Sequence, residues 1–297
     1  MTMGAPASLA ATARGHLTQP GPAPTERMET AVGRLQVLEF SLQPGLTLIE
    51  AVAGPLTAAG FSAAQVELFG GAFGPFTYVI PAASSDAEHA AWYSAAFTPP
   101  GESRLIAGNL TFGRREGAPF LHCHAFWHEA DGERRGGHVM PHDTVIAAPI
   151  AARAYGTGDV AITADFDPET RFTLFTPHQL RAPQARPRIA FARVRPNADI
   201  AAALVEICRR HGFAAGRVRA SVGSLIGARF ADGSQLEDYA TEVFVRSGRI
   251  VPGTEGTLGA ELDVALVGLT GTLAEGWLSG ENPVCITFEL AIEETSA

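Results

Sequence analysis

The chain has 297 residues, of which 46% are hydrophobic and only 18% charged, the make-up of a core-forming globular protein rather than a disordered one. Its formal net charge is -9 and it has no lysine, the wrong balance for a protein whose main task is to neutralise phosphates. Cys123, Cys208 and Cys285 lie too far apart for a disulfide framework or a thiolate zinc knuckle, no apolar run is long enough to span a bilayer, and no secretory signal is recognisable, so the expected location is a reducing cytoplasm.

Residues 1–33 begin with an Ala-, Pro- and Thr-rich stretch without periodicity and read as a disordered tail. A strand is expected over Leu35–Leu42, ended by Gln43-Pro44-Gly45. A helix follows over Leu46–Ala59, with Thr47 as its cap and Gly60 as its stop. Gln65–Phe69 reads as the next strand, broken by Gly70-Gly71.

The same order then recurs. Pro44 through Phe61 has an ungapped counterpart in Pro196 through Phe213, Glu102–Gly108 matches Glu242–Gly248, and His122, Gly132 and His138 align with Glu261, Gly271 and Trp277. The chain is therefore expected to hold two copies of one unit: residues 34–180 and 188–297, joined by a linker at 181–187. The first copy carries an insertion between Gly71 and Glu102 with Phe73, Phe76, Tyr78, Trp92, Tyr93 and Phe97, read either as a lid or pocket wall or as a loop packed on its own surface. Arginines cluster between Arg181 and Arg219, and a solvated face is the plainer reading of them than a phosphate track.

Chemistry concentrates in Phe120–His128 and Gly136-Gly137-His138. In a strand over Leu121–Trp127 the side chains alternate, so His122, His124 and Phe126 share one face. Asp131-Gly132 signals a hairpin, whose returning strand brings His138 beside the first two imidazoles. Three converging neutral imidazoles make a zinc-type site with one position left open, the alternative being an ordinary polar stripe. In the second copy these positions read Glu261, Asp263 and Trp277, and that copy is read as scaffold.

With its His-x-His…Gly-Gly-His pattern (His122, His124, Gly136, Gly137, His138), and with Gly248-Arg249-Ile250 and Asn282–Glu289 in the second copy, the chain resembles two tandem copies of the PPC domain, the plant- and prokaryote-conserved domain. The resemblance implies an α/β (α+β) fold, a mostly antiparallel sheet with a packed helix, assembly into a homotrimer, and zinc or another divalent transition metal on His122, His124 and His138. Plant members associate with DNA through a separate AT-hook, and neither its Arg-Gly-Arg-Pro core nor the Gly-Arg-Phe-Glu-Ile-Leu segment is present, so nucleic acid is not the expected partner. The leading expectation is a metal-dependent enzyme, a zinc hydrolase or lyase, acting on a small polar or anionic metabolite by hydrolysis, hydration or isomerisation, with Glu102, Glu129 and Arg134 as candidates to act on substrate. A DNA-binding or regulatory protein, and a metal-dependent binding module without turnover, are the alternatives.

Overall fold

The computed structural model describes residues 15–183, 186 and 188–296. Strand β1 (Met28–Gly33) is followed by β2 (Gln36–Leu42), helix α1 (Leu48–Ala58), β3 (Ala63–Phe69), β4 (Ser103–Arg115), β5 (Ala118–His128), β6 (Arg134–Val139), β7 (Ile150–Thr157), β8 (Val160–Phe166) and β9 (Thr173–Gln179). Then come β10 (Ile189–Val194), α2 (Ile200–His211), β11 (Gly216–Val218), β12 (Val222–Leu225), β13 (Glu242–Pro252), β14 (Leu258–Val267), β15 (Leu273–Trp277) and β16 (Val284–Glu294). Pairing among the described residues is antiparallel except for one bridge, Thr163 to Arg114, that hangs the β8–β9 hairpin on β4.

Among the described residues two large sheets result, one of eleven strands and one of eight, besides two small two-stranded ones. The first runs β2-β7-β3-β4-β5-β6 and the second β10-β16-β11-β13-β14-β15. In the first β7 inserts between β2 and β3, in the second β16 inserts between β10 and β11, and a helix links each of those flanking pairs, so the same order is built twice. This is a mainly β, α+β architecture with two α-helices among the described residues. Thr47 accepts from the Glu50 N–H while the Glu50 side chain accepts from the Thr47 N–H, the reciprocal cap that starts α1. Asp199, its counterpart, caps α2, and Gly212 at φ +67° ends it. Leu48, Val52 and Leu56 of α1 are fully buried on the first sheet, as Leu204 and Ile207 of α2 are on the second.

The ladders correct one detail of the repeat. Glu242 lies opposite Val267 and Arg104 opposite His128, so with the His hairpins superimposed Glu242 occupies the place of Arg104, not of Glu102. Both strands carry a register shift, at Leu105/Ala107 and at Val245/Ser247, and a match of residue letters does not see such bulges.

The expected tail is also corrected. Residues 1–14 lie outside the described residues, but Leu17 is buried and exchanges two hydrogen bonds with Asn197, and β1 pairs with β10 along its whole length. An edge strand needs few apolar residues of its own, because its partner supplies half of every contact, and composition alone therefore reads it as tail. Within the expected linker, Arg181 binds Asp159 at 2.7 Å and Arg186 pairs with Glu294, while residues 184, 185 and 187 lie outside the described set.

The two sheets meet through β4 and β5 on one side and β12 and β13 on the other. Asn109 donates from Nδ2 to the carbonyls of Ser221 (3.2 Å) and Val245 (2.7 Å), and Phe126 packs edge-on against Phe244 with ring centroids 5.4 Å apart. Buried amide donors without partners are costly, so these two bonds hold β4 in one position against β12 and β13.

Candidate metal centre

Strand β5 presents His122 and His124 on one face, and β6 returns with His138 directly opposite His124. The two glycines before His138 have steric causes. A Cβ on Gly136 would run into the Phe126 ring, and one on Gly137 would come within 2.6 Å of the Val79 carbonyl oxygen. Bare backbone at both positions lets β6 lie close to its neighbours and sets the depth of His138.

His124 Nδ1 stands 2.8 Å from the Val243 carbonyl, which can only accept, so that nitrogen carries the hydrogen. His122 Nδ1 stands 2.9 Å from Glu289 Oε1 and is likewise the donor. In the neutral rings both Nε2 atoms then carry lone pairs, and they face each other at 3.0 Å. Glu242 Oε2 lies 2.7 Å from His124 Nε2. The candidate ligand atoms of His122, His124, His138 and Glu242 all lie within 4.8 Å of one another, and His138 Nδ1 is buried without a partner. Lone pairs crowded this way repel unless a cation or a shared proton sits among them. Three imidazoles and one carboxylate suit a borderline transition ion, and hydrogen bonds on the remote nitrogens of His122 and His124 fix ring and tautomer as metal-binding histidines require.

The surroundings shift the titrating groups in opposite directions. Burial works to lower the His122 pKa, but the Glu289 and Glu242 carboxylates outweigh it and hold the pKa above the usual imidazole value. His138 is pushed well below that value, by burial first and then by repulsion from His122 and His124. Tyr93, from the aromatic insertion, meets the His138 ring edge-on at 5.2 Å, and burial together with Glu242 and Glu289 raises its phenol, which keeps it a donor.

Two expectations change here. The second copy, read as scaffold, supplies Glu242, Glu289 and the Val243 carbonyl, so the centre is built by both sheets. The fourth corner, expected open, is faced by the Glu242 carboxylate. The insertion divides between its two readings. Phe73, Phe76 and Tyr78 pack into the core around Trp127, whereas Trp92 and Tyr93 lie with Phe172 along the approach to the histidines.

None of the three residues expected to act on substrate joins the cluster. Glu102 is exposed, and Glu129 accepts from the Tyr78 hydroxyl at 3.0 Å. Arg134 clasps Glu275 through two bonds, of 3.0 and 2.9 Å, and lies over the Phe126 ring. Both are spent on structure. No local periodicity signals Glu242 or Glu289, because each reaches the histidines only through the packing of one sheet on the other.

A cavity of about 230 Å³ opens beside the cluster, lined by His122, His138, Tyr93 and Glu289 on one side and by Phe120, Phe172 and Phe175 on the other. The arginine-rich segment offers little free charge by comparison: Arg181, Arg193, Arg195, Arg209, Arg210 and Arg219 all pair with carboxylates. No helix among the described residues is long and apolar enough to cross a membrane.

No protein-family model matches the chain, and no curated protein does. Among solved structures, the chain is similar to a metal-containing protein from Archaeoglobus fulgidus, with 20% identity over 51% of this chain and 99% of that one and a TM-score of 0.38. A hypothetical protein from Salmonella matches at 14% identity over 52% of this chain and 99% of its own, also with a TM-score of 0.38. A plant- and prokaryote-conserved (PPC) protein from Pyrococcus horikoshii matches at 16% identity over 52% of this chain and 96% of its own, with a TM-score of 0.38. The solved structures similar to about half of this chain thus include one of the family that its His-x-His…Gly-Gly-His pattern resembles.

Proposed function

We propose that this chain is a metal-dependent enzyme, of hydrolase or lyase type, acting on a small polar or anionic metabolite. One observation carries the reading: the lone pairs of His122 and His124, a buried orphan nitrogen on His138 and the Glu242 carboxylate converge at the wall of a cavity large enough for a small molecule. His122, His124 and His138 would hold the ion, with zinc the first candidate for this donor set. Such an ion, when bound, supplies Lewis-acid chemistry and activates water at neutral pH.

The chain's own groups divide the remaining work. Glu242 faces the same point as the imidazoles and is placed to accept a proton. Tyr93 keeps its phenolic hydrogen and is placed to donate a hydrogen bond to a substrate oxygen. Glu289 orients His122 and stabilises its Nδ1–H tautomer. Phe172 and the insertion restrict water.

The test is elemental analysis of the purified chain, followed by a metabolite screen read by thermal shift with and without chelator, since a ligand of the folded state raises apparent stability. About one equivalent of transition metal per chain, lost in His122→Ala, together with chelator-sensitive hits that are turned over, is the expected result. Metal-free protein with an unchanged His122→Ala variant would end the proposal. The DNA-binding reading gains no support from the paired arginines, and binding to duplex DNA that falls steeply with salt would revive it.

A further inference from the structure

We propose that Arg115 is the anion-recognising end of this site, and that the site takes a small carboxylic acid with an apolar or aromatic body and a hydrogen-bond donor such as an amide N–H. The inference rests on the metal-site reading above and extends it to substrate class.

The β4–β5 ladder sets Arg115 opposite Ala118, Gly113 opposite Phe120, and Thr111 opposite His122. Cross-strand partners share a face, and alternate residues along a strand do too, so Arg115, Phe120 and His122 all project from the histidine side of the sheet. Four residues of strand separate the Arg115 and His122 rows, about 13 Å of backbone at the usual rise. The Arg115 side chain folds back across that gap, with its guanidinium carbon 5.6 Å from the centre of the Phe120 ring. A flat cation over an aromatic face keeps its hydrogens directed outward. Arg115 forms no ion pair among the described residues, whereas Arg134, Arg219, Arg246 and Arg249 each have a carboxylate partner.

The cavity runs from His122 and His138 to this arginine. Its far wall is the β8–β9 hairpin, with Leu174 and Phe175, and that wall can lie close because residue 113 is glycine. A Cβ there would stand 2.7 Å from the Phe175 ring. Between the two polar ends the lining is mostly apolar, with Thr173 and Glu289 as exceptions, and the Glu289 Oε2 is buried without a partner. A buried acceptor left unpaired is costly, and a donor on the occupant would satisfy it. Carboxylate at one end, apolar body between, and a donor near the histidines is the complement of this lining.

4-Acetamidobenzoate is the probe, since it carries a carboxylate at one end, a phenyl ring between and an amide N–H at the other end, and 4-acetamidobenzamide is its uncharged counterpart. With zinc-loaded full-length protein, 4-acetamidobenzoate is expected to raise the melting temperature and 4-acetamidobenzamide to bind roughly tenfold more weakly, as losing a charge-assisted hydrogen bond implies. Arg115→Gln should weaken the acid by a similar factor, leave the amide unchanged and leave zinc content unchanged. Because Arg115 is exposed and unpaired among the described residues, that variant is expected to fold. Equal affinity for 4-acetamidobenzoate in wild type and Arg115→Gln overturns the proposal, as does equal binding of the acid and the amide, or binding of neither. Arg115-dependent binding of the acid to protein that takes up no metal would instead uphold the anion site and remove the metal reading, so the two failures are distinguishable.

Discussion

Glu242 reaches His124 from the opposite sheet, its Oε2 2.7 Å from the imidazole Nε2. The contact ties the candidate centre to the packing of the two sheets, because Glu242 begins β13 while His124 lies in β5. Glu242→Gln keeps the shape and removes the negative charge. Metal affinity is expected to fall roughly 10–100-fold, the range for losing a supporting or ligating group at such sites. Competition with a chromophoric chelator measures it. An unchanged affinity would mean that the imidazoles hold the ion unaided.

Protons compete for the same lone pairs. With no metal bound, a proton on His122 would relieve repulsion between His122 Nε2, His124 Nε2 and Glu242, and the Glu289 and Glu242 carboxylates favour it by keeping the His122 pKa above the usual imidazole value despite its burial. Metal needs the neutral imidazoles, so binding must expel that proton. Metal affinity is therefore expected to be full above the raised His122 value and to weaken as pH falls through it. Calorimetry in two buffers of different ionisation enthalpy should show proton release on binding at the ordinary imidazole value of 6.5, where a raised pKa leaves His122 mostly protonated. Heats independent of buffer would contradict the proton-filled centre.

How much of this is legible in the chain of letters depends on the range of the cause. Thr47 and Asp199 cap helices through hydrogen bonds three residues away, and His122, His124 and His138 share a face through strand alternation and one hairpin; both are local rules. Glu289 and Glu242 follow no local rule, since their place is set by how two sheets pack. Arg115 is an intermediate case. Strand alternation, carried along β4 and matched across the β4–β5 hairpin, puts it on the histidine face, but that step needs the register of the ladder, which runs unbroken from Arg115–Ala118 to Ala107–Phe126. The nearby Arg134 and Glu129 look better placed along the chain, yet Glu275 and Tyr78 occupy them.

Asp167 anchors the β8–β9 hairpin to the second sheet. It is 3% exposed and pairs with Arg193, itself 2% exposed, at 3.1 Å and with Arg195 at 2.8 Å. Asp167→Asn leaves a buried guanidinium without its closest counter-charge, and the expected loss is about 3–5 kcal/mol, measured by urea unfolding. Burial alone would raise the Asp167 pKa, but Arg193 and Arg195 bring it down to about 2, from an ordinary 3.8. A depressed carboxylate contributes stability above its unfolded value and loses it as pH falls through the folded one. Wild-type stability should therefore decline between about pH 4 and pH 2 more steeply than that of Asp167→Asn. Parallel acid profiles for the two proteins would remove Asp167 from this role.

Gly136 makes a separate test of how the third imidazole is placed. Its missing Cβ is where the Phe126 ring lies, and the same ring packs against Phe244 of the second sheet and beneath the Arg134 guanidinium. Gly136→Ala must displace either Phe126 or β6. Overpacking of this kind costs about 1–3 kcal/mol. Displacing β6 moves His138, two residues on, while His122 and His124 on β5 keep their hydrogen bonds to Glu289 and Val243. The variant is expected to melt earlier and to bind metal more weakly, with the metal loss persisting at temperatures where it is fully folded. Phe126→Leu in the same chain shortens the obstructing ring and should restore part of both properties. If Gly136→Ala lowers stability yet binds metal as tightly as wild type, the glycine serves only the packing of Phe126, and His138 takes its position from β5 and Val79 alone.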